Sequence, residues 1–371
     1  MSDYLTVSRS GDTPFSGFRL RVYKFDSSKS VDADIALLFE RCLGGSRPGP
    51  EWNWRYSDNP FNEPVTVLAE SDPPGKLLGH QAITPVLLNL RGRAVLGGQS
   101  GDTMVEPSSR RLGIFREMLI ASHVESEKKC MTLIYGFPGP MSLPGFLQRA
   151  GWLRVFFMDE FFVRLDRLSE FLMIARIRSF ASALNSTYRI WIKFLTNIAI
   201  YIGKSRMDLP KYHEEIILPD DYDEFWSHVA GYEVYSVWKN SKYMAWRYDR
   251  NPAHRYRYHC LRKNARLMAL VVTRTENGVT QIAEFMFREK NLEWARYLLL
   301  EIKAFALKSN AARLSFMAHD SGFFWEAFRS FSHRILHEQV FCLVPLKESA
   351  SYPGIELPGN WTITAGDWDG I

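Results

Sequence analysis

Two stretches of this chain spell the same thing, and any fold must accommodate both. Trp54-Arg55-Tyr56-Ser57-Asp58-Asn59-Pro60 and Trp246-Arg247-Tyr248-Asp249-Arg250-Asn251-Pro252 share W-R-Y-x-x-N-P at a separation of 192 residues. Trp is scarce, so five matched letters in seven are improbable by chance. The repeat predicts a chain built from two copies of one unit.

The patterns that follow each copy agree. After the first, β-rich runs at 65–71, 76–90 and 94–105 are split by Asp72-Pro73-Pro74-Gly75 and by Arg91-Gly92-Arg93. Ile114, Met118, Ala121 and Val124 then share one face of a helix over 112–128. A short strand (131–137), a short helix (142–150) and a long aromatic strand (152–165) complete the set. After the second copy the order returns: strands at 256–262, 265–275 and 280–288, a helix over 289–308, a strand at 311–319, a helix at 323–330 and a strand at 334–345. Each unit is roughly 150 residues, a normal size for one core.

With 371 residues, 46% of them hydrophobic, the chain has material for two cores. Cys42, Cys130, Cys260 and Cys342 show no paired spacing and read as thiols in a reducing compartment, with neither a disulfide frame nor a metal site. The first twenty residues lack an apolar h-region, which predicts no secretory signal and a cytoplasmic chain.

The segment Asp102-Thr103-Met104-Val105-Glu106-Pro107-Ser108-Ser109-Arg110-Arg111-Leu112-Gly113-Ile114-Phe115 carries the chemistry. A strand ends at Val105, a turn runs through Pro107-Ser108-Ser109, and a helix begins near Leu112. The first N–H groups of a helix have no internal partner and sit at the positive end of its dipole, which suits a pyrophosphate. Gly113 lets a phosphate approach the backbone, and Arg110 and Arg111 add charge. An ordinary strand–turn–helix with a basic turn is the competing reading.

This segment resembles motif A of the GNAT acyltransferase superfamily, in which a strand ending V-x-P leads into R-x-x-G-x-G/A and a helix. Arg110, Gly113 and Ile114 fit, while Phe115 stands where Gly or Ala is usual. The run MTLIYGFPGPMSLPGFLQRAGW from Met131 to Trp152 resembles the next part of that fold. The resemblance implies an α+β fold with a mixed, largely antiparallel sheet flanked by helices, in two tandem GNAT-like domains. Its domain plan is an acyltransferase domain at 15–165, a basic helical insert at 166–210, a degenerate GNAT-like domain at 211–348 and a docked tail at 349–371. It also implies acetyl-CoA as co-substrate, without a metal. The acyl-pantetheine arm would lie where two strands splay, paired to backbone groups of Thr103, Met104 and Val105. The loop Arg110, Arg111, Leu112, Gly113, Ile114 and Phe115 would hold the pyrophosphate, and Gly136, Pro138 and Gly139 would keep the far strand end open.

Transfer needs an amine made neutral, an oxyanion stabiliser and a proton for the leaving thiolate. Asp102, on the strand beside the thioester, is the candidate base; a structural carboxylate bonding backbone or arginine is the other reading. His80 is a second candidate, although a lone strand histidine is more often a satisfied structural group. The superfamily's usual thiolate acid, a Tyr four residues before the Gly-aromatic pair Gly151-Trp152, is here Leu147. Arg55 and Tyr56 recur in a copy without motif A, which assigns them to packing.

The second copy lacks the phosphate loop. Phe287-Arg288-Glu289-Lys290-Asn291-Leu292-Glu293 has no glycine, and its two carboxylates would repel a pyrophosphate. This unit is expected to shape the acceptor cleft or a dimer surface. The tail carries Trp361 and Trp368 and is expected to dock. Aminoglycoside acetyltransferases of the enhanced-intracellular-survival type, similar in tandem plan, use the terminal carboxylate at the active site; packing on the second domain is the alternative.

From 171 to 207 there is no Asp or Glu, and Arg176, Arg178, Arg189, Lys193, Lys204 and Arg206 outweigh the whole net charge of +5. The remainder is near balance, which argues against a nucleic-acid partner. This apolar, basic segment reads as one or two amphipathic helices, too short in its apolar part to span a bilayer. An interdomain packing helix, an interfacial helix at an anionic membrane face and a lid over the acceptor site are the three readings. For the whole chain three functions compete: an acyl-CoA-dependent N-acyltransferase acting on a small-molecule amine such as an amino sugar, a non-catalytic acyl-CoA binder or scaffold, and an aminoacyl transferase of the peptidoglycan-bridge type.

Overall fold

The computed structural model describes residues 4–5, 17–25, 33–73, 75–166, 178–206, 209–319, 322–329 and 333–368. They form two compact units. The first comprises 1–157, 235–253 and 338–358, and the second 158–234, 254–337 and 359–371. The units are therefore not contiguous halves of the chain, unlike the domain plan the sequence suggests. A strand belongs to the sheet that hydrogen-bonds it, and local patterning is silent about that partner.

The first unit is a mixed, mostly antiparallel sheet of β1 (Tyr4–Leu5), β2 (Phe18–Tyr23), β3 (Val65–Ser71), β4 (Leu77–Leu90), β5 (Arg93–Val105), β6 (Leu133–Gly136) and β14 (His333–Pro345), in that order. Only β5 and β6 run parallel, paired at Gly98↔Ile134 and Gln99↔Tyr135. Helices α1 (Ala33–Leu43), α2 (Ile114–Lys128) and α3 (Leu143–Arg149) flank it. β4 is buried along almost its whole length, as a central strand covered on both faces must be. Its far end also pairs with β9 (Tyr235–Val237), through Leu88↔Val237 to Leu90↔Tyr235.

The two W-R-Y copies meet inside this unit. Trp54 and Trp246 stack at 5.2 Å between ring centroids. Each indole N–H donates to the other's backbone oxygen, at 2.7 and 2.8 Å. Each copy is one wide helical turn, closed by Asp58 N–H to Asn53 O and by Arg250 N–H to Ala245 O. Satisfying both buried indoles reciprocally explains the repeated Trp: losing one ring leaves the other residue's backbone oxygen without that donor and removes a stacked pair of about 0.5–1.5 kcal/mol beyond its area.

The second unit repeats the order. β7 (Leu153–Arg164, from Met158 on), β13 (Arg313–His319), β12 (Val279–Phe287), β11 (Arg266–Glu276), β10 (Tyr256–Lys263) and β8 (Lys211–Glu215) form its sheet, with β12 and β13 parallel. Helices α4 (Arg178–Arg206), α5 (Tyr222–Tyr232), α6 (Leu292–Lys308) and α7 (Phe323–Phe328) accompany it. Its core is aromatic, with Phe285 and Phe316 touching each other and both Phe324 and Phe328.

Candidate active site

Parallel pairing between β5 and β6 ends after Gln99↔Tyr135, and β6 continues against β14 at Cys342↔Gly136. Beyond that point β5 borders an open cleft of about 430 Å³. Its walls are Thr103, Met104 and Val105 of β5, the turn with Ser109, Arg110, Arg111 and Gly113, and Ile114, Phe115 and Arg116 of α2. Cys42 and Leu43 of α1 also line it, as do Met141, Ser142, Pro144, Gly145, Gln148 and Arg149 around α3.

The local sequence explains the cleft's polar end. Gly113 caps α2 at φ +85°, and no side chain bonds the helix's first N–H groups. Arg111 is also left-handed, at φ +71°. These two turns lead into the first N–H groups of α2, which lack side-chain acceptors and sit at the positive end of the helix dipole. Arg110, Arg111, Arg116 and Arg149 line the same cleft. The cleft thus combines positive charge from these arginines with apolar wall from Leu43, Met104, Ile114 and Met141. That combination suits a long ligand with an anionic head and an apolar arm.

The sequence-named loop residues divide. Arg110, Arg111, Gly113, Ile114 and Phe115 line the cleft with Thr103, Met104 and Val105, whereas Leu112 does not and is exposed. Gly136, Pro138 and Gly139 are also outside its lining. Phe115 keeps its large ring because Gly145 faces it: a Cβ there would sit 2.6 Å from the ring. Phe115 meets Phe146 edge-on at 5.3 Å. Leu147 is packed into the adjacent core, so its position offers no proton donor. Patterning alone did not single out Cys42, Arg116, Gln148 or Arg149, since only the turn of α2 toward α1 and α3 gathers them.

Asp102 and His80 lie behind the wall. Opposite Gln81, β5 carries an extra residue, so the register slips between His80↔Met104 and Ala82↔Gly101. Asp102 occupies this bulge at φ +49°. Its carboxylate is buried and accepts hydrogen bonds from Arg47 and Tyr56, with Arg55 at 3.9 Å. Burial alone would raise its pKa, but Arg55 and Arg47 overcome that and hold the carboxyl well below its ordinary 3.8. Tyr56 stays protonated, pushed up by burial and by Asp102. His80 is fully buried between Phe25, Trp52 and Tyr56, and its Nδ1–H donates to the Asp102 backbone oxygen at 2.8 Å. Burial lowers its pKa, so it is neutral. Neither side chain lines the cleft, and no Asp, Glu or His is among the described residues that do.

In the second unit the corresponding features are closed. The Asn291 side chain caps α6, accepting from the N–H groups of Glu293 and Trp294 at 3.0 and 3.1 Å. β12 and β13 part after Ile282↔Phe316, and there β15 (Ile363–Thr364) pairs with Ala318 and His319. The other edge of β13 is taken by β7, so the tail fills the gap on the β12 side. The Thr364 hydroxyl donates to Glu284 of β12 at 2.8 Å, and Asp367 accepts the Thr364 N–H at 2.8 Å. The tail thus docks within the second unit, and Trp361 is buried there; the terminal carboxylate lies outside the described residues. Thr364→Val should cost about 1–3 kcal/mol, because it removes a hydrogen-bond donor from a buried carboxylate. Urea unfolding that shows no loss would remove this contact from the unit's stability.

Comparisons with known proteins fit this geometry. Residues 29–155 match the family described as Acetyltransferase (GNAT) domain. A probable N-acyltransferase from Enterococcus faecalis V583 is 12% identical, with a TM-score of 0.59 over 89% of this chain and 73% of that one. A GCN5-related N-acetyltransferase from Kribbella flavida is 14% identical, TM-score 0.56, covering 90% and 72%. Saccharomyces cerevisiae N-myristoyltransferase with bound myristoyl-CoA is 10% identical, TM-score 0.54, covering 91% and 85%. A search of curated protein sequences returns no match. The open cleft and the paired α+β units define the tandem GNAT fold. The GNAT family match lies within the first unit, and the solved structures share the fold of the chain.

Proposed function

We propose that this chain is an acyl-CoA-dependent N-acyltransferase with one donor site, in the first unit. The observation that carries the reading is the contrast between two like folds. One has an uncapped helix terminus, four lining arginines and an open strand gap; the other has an Asn-capped terminus and a gap filled by its own tail. The pyrophosphate is held by the N–H groups at Gly113–Arg116 and the arginines, and the pantetheine arm by the β5 backbone at Thr103–Val105. The acceptor nitrogen attacks the thioester carbonyl, the C–S bond breaks, and one proton passes from nitrogen to the CoA thiolate through water. In this reading Asp102 is a positioning residue: it ties Arg47, Arg55 and Tyr56 to the bulge that sets Thr103–Val105 on the cleft.

Acetyl-CoA is the proposed donor, and a small amine, such as an amino sugar, the acceptor. Calorimetry should give one acetyl-CoA site per chain and a stabilisation of about 2.7 kcal/mol at ~100 times the dissociation constant. Two equal sites would overturn the asymmetry. Thiol release across acyl-CoA chain lengths and an amine panel tests the chemistry. Binding without release would favour the scaffold reading, and dependence on aminoacyl-tRNA the peptidoglycan-bridge type.

A further inference from the structure

Helix α4 carries apolar residues on two opposite sides. On one, Ile192, Thr196 and Ile200 recur every fourth position and pack toward α6. Arg189 on that side donates to the carbonyl oxygens of Ala311 and Leu307 at 2.9 and 3.1 Å. Lys204 pairs with Glu301 at 2.9 Å. These contacts fix the rotation of the helix within its unit.

The other side is left in solvent. Ile190, Trp191, Phe194, Ile198, Tyr201 and Ile202 are 69%, 58%, 60%, 37%, 74% and 41% exposed. At 100° per residue they span an arc of roughly 120°, opposite the packed side. An apolar stripe of this size, exposed along one element, marks an interaction surface. The chemistry around it names the kind. There is no acid from 171 to 207, and Lys193 is exposed at the stripe's edge. Trp191 and Tyr201 are residue types that favour a membrane interface. Two copies pairing through this stripe would bring their cationic edges together with no acid in the segment to offset them. No described helix is long and apolar enough to cross a membrane.

We propose that α4 is an interfacial helix that lays its Trp191–Ile202 stripe on an anionic lipid surface, parallel to the membrane plane. Apolar burial supplies the hold, and Lys193 at the edge supplies a preference for anionic headgroups.

Sedimentation of the whole chain with phosphatidylglycerol or phosphatidylcholine vesicles tests this. Binding is expected to phosphatidylglycerol, and to weaken with salt. Lys193→Ala should weaken it about fivefold, and Phe194→Glu should abolish it, both with an unchanged unfolding midpoint because these side chains are exposed. Brominated lipid should quench a fluorescence component that is missing from Trp191→Tyr. Failure to bind phosphatidylglycerol vesicles at low salt, or undiminished binding by Phe194→Glu, overturns the proposal. A solution dimer dissolved by Phe194→Glu would assign the stripe to a second copy instead.

Discussion

Gly113→Glu is expected to abolish acyl-CoA binding while leaving the chain folded. Gly113 stands at φ +85°, where an L-residue costs about 1–2 kcal/mol, and nothing lies within 4 Å of the added Cβ. The side chain therefore enters open cleft without displacing core. A carboxylate at a helix N-terminus also interacts favourably with the dipole, which offsets part of the strain. Binding is affected differently, since that carboxylate now occupies the anion's own position. At about 5 Å and an effective dielectric near ~20, repulsion from one phosphate charge is about 3 kcal/mol, at least a hundredfold in dissociation constant. Gly113→Ala is the control, carrying the strain without the charge, and should bind within about tenfold of the parent. Wild-type affinity in the Glu variant would remove the α2 terminus from the donor site.

The elements were legible in the sequence because each carries its own signal. Apolar, β-rich runs bounded by turn residues mark β3 to β5, and the helical spacing of Ile114, Met118 and Ala121 places α2 within two residues of its observed start. The phosphate loop was legible for the same reason: its glycine, its arginines and the helix start are adjacent in the chain. What stayed hidden depends on distant partners. Tyr235–Ala253 and residues 338–348 read as parts of the second domain and 349–358 as tail, yet they belong to the first unit, with β9 on β4 and β14 on β6. Cys42 and Arg149 reach the cleft from elements that no local pattern connects to α2. The role of Asp102 was open for a related reason. A carboxylate on a strand reads equally as base or as anchor until Arg47, Arg55 and Tyr56, 55, 47 and 46 residues earlier, are seen to converge on it.

Asp102→Asn separates these two roles. The substitution removes the buried carboxylate that Arg47 bonds and Arg55 approaches, and breaking such a pair from one side costs about 3–5 kcal/mol. The unfolding midpoint should therefore fall together with turnover. Acetyl-CoA affinity should change much less, because the α2 terminus and its arginines are untouched. The pH dependence follows from the depressed carboxyl. Its folded pKa lies below its unfolded value, so its stabilisation is complete above about pH 4 and is lost only as pH falls through the folded pKa. Across neutral pH the parent and the variant should thus differ by a constant free energy, and they should converge on acidification. A base must change charge within the working range to shape a rate profile, and Asp102 is ionised throughout that range. The pH–rate profile should keep its form in the variant while its height drops. Loss of an acidic limb near neutral pH, with no change in unfolding midpoint, would return Asp102 to the role of general base.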